Sequence, residues 1–265
     1  AGCCAFYWPV LVRGLSPNVG DIPLQFLPWK VFWRESVLAG RIPLWNPHTG
    51  CGSPFLANYQ SCVFNPLDWM ILPFKPEHFF GLSLLLHTAL ALVFTYGLAR
   101  KLCISVTGSV LSALAFSFGG FHQIHLLAGN FLTFSAAVWL PLVWWSGHRL
   151  VTDWSRNGES RGRWISFLFF VLALSFQILS GHPQMVFYSL VFSSLWLLVL
   201  AWQSCGRCFS RWLRFVLVYA GAGFMAALLC AVQLLPTLEY IAWSTREKGL
   251  EWEEATQFSY SLSRL

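Results

Sequence analysis

Charge is what this sequence has least of. Asp, Glu, Lys and Arg make up 11% of its 265 residues, against about 25% in soluble domains. No basic cluster suited to nucleic acid stands out, despite a net charge of +6. No glycine-rich phosphate cradle follows a strand, so a nucleotide-consuming site is not expected. The eight cysteines form no disulfide framework. Cys205 and Cys208 make a single C-G-R-C without the further ligands a zinc site needs, and pairing of Cys51 with Cys62 stays open. No basic leader or cleavage site marks a signal peptide in residues 1–12.

What is abundant is apolar surface: 56% of the residues are hydrophobic and 17% aromatic. That composition indicates an integral membrane protein. Residues 1–12 are apolar but too short to cross a hydrocarbon layer of about 30 Å. They read as the outer end of a truncated first span, in a chain expected to be part of a longer protein. Six more apolar runs follow, at 79–98, 103–118, 131–145, 165–179, 185–201 and 215–235. The fold class expected is therefore an all-α polytopic membrane protein of about seven transmembrane helices, forming a single module over residues 1–265.

The connecting segments differ in charge. Arg100 and Lys101, then Arg149, Arg156, Arg161 and Arg163, then Arg207, Arg211 and Arg214 fall in alternate connections. The opposing short loops at 119–130 and 180–184 contain no Lys or Arg. The basic side is cytoplasmic by the positive-inside rule. Residues 13–78 then form a large first extracytoplasmic loop, and 236–265 begin a further extracytoplasmic segment.

That first loop concentrates Pro, Gly, Asn, Gln and Trp. Asp21 is placed to cap a helix with Pro23 in its first turn, running to about Ala39 and stopped by Gly40. Ile22, Phe26, Trp29, Trp33 and Val37 recur at helical spacing, with Lys30, Arg34, Glu35 and Arg41 on other faces; such a helix suits the membrane–water boundary. Between residues 42 and 66, frequent prolines and glycines forbid long regular structure, and a short helix at about 67–72 leads back to the membrane.

Several residues carry chemistry. Asp21, at the lipid boundary, is the candidate general base or metal ligand. Gln25 follows one turn on. Asn46, Asn58 and Gln60 match the hydrogen bonding of sugar hydroxyls, and Trp45 offers a flat face for a pyranose. His182 and Gln184 sit in a sharp S-G-H-P-Q turn, recessed if the preceding helix has 15 residues, and suit a phosphate or sugar. Glu239 and Arg246 follow the last run, Arg246 being the best-placed cation for a phosphate. His122 and His125 form an H-x-x-H that is a weak metal candidate with Asp21. Each has a plainer role too: a helix cap, a loop tie or a solvated edge.

As a set, G-D-I-P-L-Q-F-L-P-W (20–29), G-R-I-P-L-W-N-P (40–47), G-S-P-F-L-A-N-Y-Q (52–60), G-H-P-Q (181–184) and Q-L-L-P-T-L-E (233–239) with S-T-R (244–246) resemble the YfhO-type bacterial membrane proteins. That family belongs to the GT-C superfamily of polyprenyl-phosphate-sugar-dependent glycosyltransferases. The resemblance implies a GT-C-like fold and transfer of a sugar from a polyprenyl-phosphate carrier to an extracytoplasmic cell-envelope acceptor. It maps the superfamily's acidic residue onto Asp21, with membrane lipid, the lipid-linked donor and the acceptor as partners. A divalent metal ion is left open as cofactor. The expected location is a bacterial-type cytoplasmic membrane with the active face outside. A lipid-linked-sugar flippase or transporter, or a non-catalytic assembly protein, is the rival reading.

Overall fold

The computed structural model describes Tyr7, Trp8, Arg13, residues 17–155, 160–205 and 208–244, and Gly249, Trp252 and Thr256. Its described residues are all-helical apart from one hairpin of two two-residue strands. Among the described residues, five helices are long and apolar enough to cross a membrane: Pro76–Lys101, Val106–Leu127, Arg161–Ile178, Pro183–Gln203 and Phe209–Leu229. The count of seven rests partly on residues 1–12, of which only Tyr7 and Trp8 are described. Tyr7 is buried and its hydroxyl lies 3.0 Å from Thr88 Oγ1.

The chain enters through a π-helical turn, Ile22–Phe26, that passes into α1 (Leu27–Leu38). Pro28 explains the wider turn. It cannot donate to a carbonyl four residues back, and its ring would clash there in an α-helix. The buried side of this segment carries Ile22, Phe26, Lys30, Trp33 and Ser36. The apolar stripe seen in the sequence is thus rotated so that Lys30, expected on another face, points inward. The helix ends at Leu38, as expected, with Gly40 at φ 71°.

Beyond it, β1 (Trp45–Asn46) pairs antiparallel with β2 (Ser53–Pro54), and a 3-10 turn, Tyr59–Ser61, leads to α2 (Pro66–Ile71). Asn65 caps α2, accepting from Leu67 N–H at 3.0 Å. Together these pieces build their own aromatic core. Trp33, Phe55 and Val63 pack with Phe79, Phe80, Phe131 and Phe134 from the helices that follow. The indoles of Trp33 and Trp69 both donate to the Val63 carbonyl, at 3.2 and 2.8 Å.

The helices that follow are α3 (Pro76–Lys101), α4 (Val106–Phe118) continued by α5 (Gly120–Leu127), the broken pair α6 (Phe131–Ala137) and α7 (Leu140–Ser155), α8 (Ser160–Ile178), α9 (Pro183–Cys205) and α10 (Phe209–Leu229). α7 packs against α3, α8 and α9, and a second core of Val143, Leu150, Phe170, Leu174, Leu197 and Ala222 lies among α7 to α10. Several buried serines bond within their own helices, as Ser146 does to Leu142 O and Ser175 to Val171 O, both at 2.8 Å, so they pack closely at little polar cost.

Three sequence expectations are corrected. The run 131–145 is not one helix; Pro141 supplies no N–H and the chain breaks between Ala137 and Leu140. At the break, the Ala136 carbonyl accepts from the buried Gln177 Nε2 at 3.1 Å as well as from Trp139 N–H at 3.4 Å. The run 215–235 divides at Cys230, after which α11 (Ala231–Ala242) begins. The segment 119–130 is largely helical, since α5 extends the apolar helix to Leu127.

Candidate functional site

Asp21, Gln25 and Gln60 meet the start of α6 and the turn between α8 and α9. The contact starts at two glycines. Gly20 (φ 54°) and Gly129 (φ 79°) press backbone to backbone: a Cβ on Gly20 would fall 2.3 Å from Ala128 O, and one on Gly129 would fall 2.7 Å from Asp21 N. Only glycine fits either place. Asp21 is thereby fixed beside the α5–α6 turn. It stands at the helix N-cap with helical dihedrals and no capping hydrogen bond. The expected side-chain cap is not made, and the carboxylate is exposed.

One turn on, Gln25 Nε2 donates to Gln60 Oε1 at 3.4 Å, tying the π turn to the 3-10 turn. Gln60 in turn packs on Gly181, whose hypothetical Cβ would lie 3.5 Å from the Gln60 Cα. The next residue is His182. Its Nδ1 accepts from Met185 N–H at 3.2 Å, so the ring proton sits on Nε2, 2.9 Å from Thr133 Oγ1. Burial, and then the nearby His125, push His182 below the usual histidine range, which keeps it neutral. Thr133 stands one turn beyond Gly129, where the circuit began. A run of contacts thus links the Asp21 backbone, Gln25, Gln60 and His182 at one end of the helices.

α8 has 19 residues, four more than the expected 15, so the argument for a recessed His182 turn from helix length does not hold. His182 is only half-buried.

The remaining candidates lie elsewhere. Asn46 is buried and spent on its own loop, donating to Thr49 Oγ1 at 3.0 Å and accepting from His48 N–H at 2.9 Å. Asn58 caps the 3-10 turn through Gln60 N–H. For both, the loop-tie role is realised. Trp45 is 55% exposed. Gln184 is exposed and bonds Tyr188 Oη at 2.6 Å, away from the His182 contact. Glu239 is exposed on α11. Arg246 lies outside the described residues.

The H-x-x-H pair is held among aromatic rings: His122 against Phe116, Phe121 and Phe134, and His125 against Phe121. Among the described residues, no three His, Cys, Asp or Glu side chains converge to hold a metal ion. Cys51 and Cys62 are both free thiols.

Beside Gln60 and His182 runs an apolar groove of about 460 Å³, between Tyr59, Ile178, Pro183 and Val186 on one side and Leu234 and Ile241 of α11 on the other. The Tyr59 hydroxyl donates to Ile178 O, and Gln233 Nε2 donates to Leu56 O at 2.7 Å, holding α11 against the loop.

Sequence reasoning missed three groups here. Thr133 is hidden in an apolar run, and Gln233 looks like a helix polar residue. The Lys30–Asp68 pair joins residues that no local pattern links. No family model, curated protein or solved structure matches this chain.

Proposed function

We propose that the protein is a membrane glycosyltransferase that moves a sugar from a polyprenyl-phosphate carrier to a hydroxyl acceptor on the extracytoplasmic side, within a GT-C-like, seven-span arrangement. The observation that carries this reading is the closed circuit of Asp21, Gln25, Gln60, His182 and Thr133, with an apolar groove opening beside it. A greasy carrier needs a hydrophobic channel that ends at polar groups, and the groove along Tyr59, Ile178 and Ile241 supports that role. The charge pattern supports the orientation.

In the reaction proposed, the acceptor oxygen forms a bond to the anomeric carbon as the bond from that carbon to the phosphate oxygen breaks. The phosphate leaves with the electron pair on its carrier. Asp21 takes the acceptor's hydroxyl proton. The hydroxyl of Thr133, which accepts from His182 Nε2–H, is the donor for the departing phosphate. No step is assigned to a metal, since the described side chains do not form a metal set.

Purified protein in nanodiscs, given a labelled polyprenyl-phosphate sugar and an acceptor, tests this. The expected result is lipid phosphate released in step with sugar on the acceptor, and loss of at least a hundredfold in rate in Asp21→Asn. Movement of the labelled lipid between leaflets without bond cleavage means a flippase instead, and neither means an assembly protein.

A further inference from the structure

Two adjoining cavities lie on the other side of Gln25 from the circuit described above. One, of about 670 Å³, lies between α1 and the hairpin; the other, of about 490 Å³, continues it toward the hairpin's outer edge. Phe32, Glu35 and His48 line both, so the two form one cleft. Each volume is that of an ordinary small-molecule site.

We infer that this cleft, from Gln25 to Trp45, is a saccharide-binding site for an uncharged or zwitterionic glycan. Three features argue for it. The first is the presentation of Trp45, which sits on a paired hairpin with its indole laid on Gly52. A Cβ at Gly52 (φ 104°) would fall 2.5 Å from the indole nitrogen. The glycine gives the ring a flat support on one side, and the other side is open. A rigid indole with one open face gives contact area at small entropy cost, which suits the apolar face of a pyranose.

The second feature is the mix of groups. Trp29 and Phe32 form aromatic walls, and Phe32 is held by edge contacts with Phe55 and His48 at 5.1 and 5.8 Å. Polar groups face them: Gln25, Glu35, His48 and Thr49 line the larger cavity, and Arg41 the smaller. Among the described residues, the side chains of Glu35 and Arg41 make no hydrogen bond or ion pair. Sugars need this pairing of apolar walls with donors and acceptors.

The third is charge. Glu35 and Arg41 bring one charge of each sign to the cleft. A polyanion would meet Glu35, and a polycation would meet Arg41. A neutral hexose or N-acetylhexosamine chain meets neither penalty.

Gln25 lines the cleft and also bonds Gln60 of the circuit, so the cleft leads to Asp21. Its role as the acceptor's seat rests on the glycosyltransferase reading. Saccharide binding itself does not, and is measurable without turnover.

The experiment is calorimetric titration of the whole protein in nanodiscs with soluble hexose and N-acetylhexosamine oligosaccharides of two to four units. A poly(glycerol phosphate) oligomer serves as the charged comparison. Saturable binding of a neutral oligosaccharide is expected. Trp45→Ala and Glu35→Gln each weaken it at least tenfold, and Trp45→Phe retains most of it. Both side chains are exposed, so the fold survives, which an unchanged melting temperature confirms. Absence of saccharide binding alongside Asp21-dependent transfer overturns the cleft and leaves the enzyme reading standing. Binding without transfer does the reverse. Quenching of Trp45 by bromine-labelled lipid, with no saccharide effect, means that the hairpin is a membrane anchor and also overturns the proposal.

Discussion

Lys30 Nζ and Asp68 Oδ2 are 2.6 Å apart, and both side chains are almost wholly buried. The pair clamps α1 to α2 beneath the first loop. Lys30 also donates to Ser61 O at 3.1 Å and lies 5.6 Å from the ring centres of Trp33 and Phe79. Two charges removed from water gain little net stability, but removing one strands the other. Lys30→Met or Asp68→Leu alone is expected to cost about 3–5 kcal/mol. The double variant Lys30→Met/Asp68→Leu is expected to recover most of that, since an apolar pair carries no stranded charge. Thermal melts in detergent of the four proteins form the cycle; equal and additive losses refute the coupling.

The Gly20–Gly129 contact makes a separate prediction. Gly129→Ala places a methyl group against Asp21 N and the Val19 carbonyl, in a left-handed conformation. It forces Asp21 away from the α5–α6 turn. Transfer is expected to fall at least tenfold, with about 1–3 kcal/mol lost in stability. Gly40→Ala, also at positive φ but with open space around it, is the control that shares the strain without the clash. Equal activity in the two variants shows that the contact does not position the carboxylate.

Five long apolar helices were readable in advance because a membrane demands about 20 apolar residues in a row, whatever they pack against. The end of α1 was readable because Gly40 is local. What failed was anything set by partners far along the chain. Lys30 looked solvent-facing because its burial depends on Asp68, thirty-eight positions away. Pro141 lies inside a run whose hydropathy hides the break, and Gln177 shows its purpose only once Ala136 O is seen. Among the candidates, Gln25, Gln60 and His182 converge with Asp21. Asn46 and Asn58 carry the same functional groups but spend them on adjacent backbone, a distinction that residue type alone does not make.

His182 predicts a pH dependence. Its folded value is lowered, first by burial and then by His125. At a pH above the unfolded value of about 6.5 the ring is neutral in both states. Nδ1 then accepts from Met185 N–H, and that contribution is complete. As the pH drops below about 6.5 the unfolded chain takes the proton first, so stability declines through the window down to the lowered folded value. The melting temperature of the native protein is expected to fall between pH 7 and pH 5 more steeply than that of His182→Asn, whose side-chain oxygen can accept the same N–H without titrating. Parallel slopes assign the pH dependence to other groups.

The sidedness of the molecule is tested by two cysteines. Cys51 is exposed in the hairpin loop, and Cys208 lies before α10 on the basic side. Hydrogen bonds from Ser210, and then Arg211, lower the Cys208 thiol to about 6, against about 8.5 for a free cysteine. It is therefore mostly thiolate at pH 6.5, where an ordinary thiol is about 1% ionised, and the thiolate is the reactive form. Cys62 has the opposite fate: burial pushes it up to about 12, so it does not compete. Two variants, each keeping one of Cys51 and Cys208 as its sole cysteine, are treated in intact cells with a membrane-impermeant maleimide. Cys51 is expected to label at pH 7.5, while Cys208 labels only after permeabilisation, and then still rapidly at pH 6.5. Labelling of Cys208 from outside with Cys51 protected places the Asp21 patch in the cytosol, where no donor sugar on an outward-facing carrier reaches it.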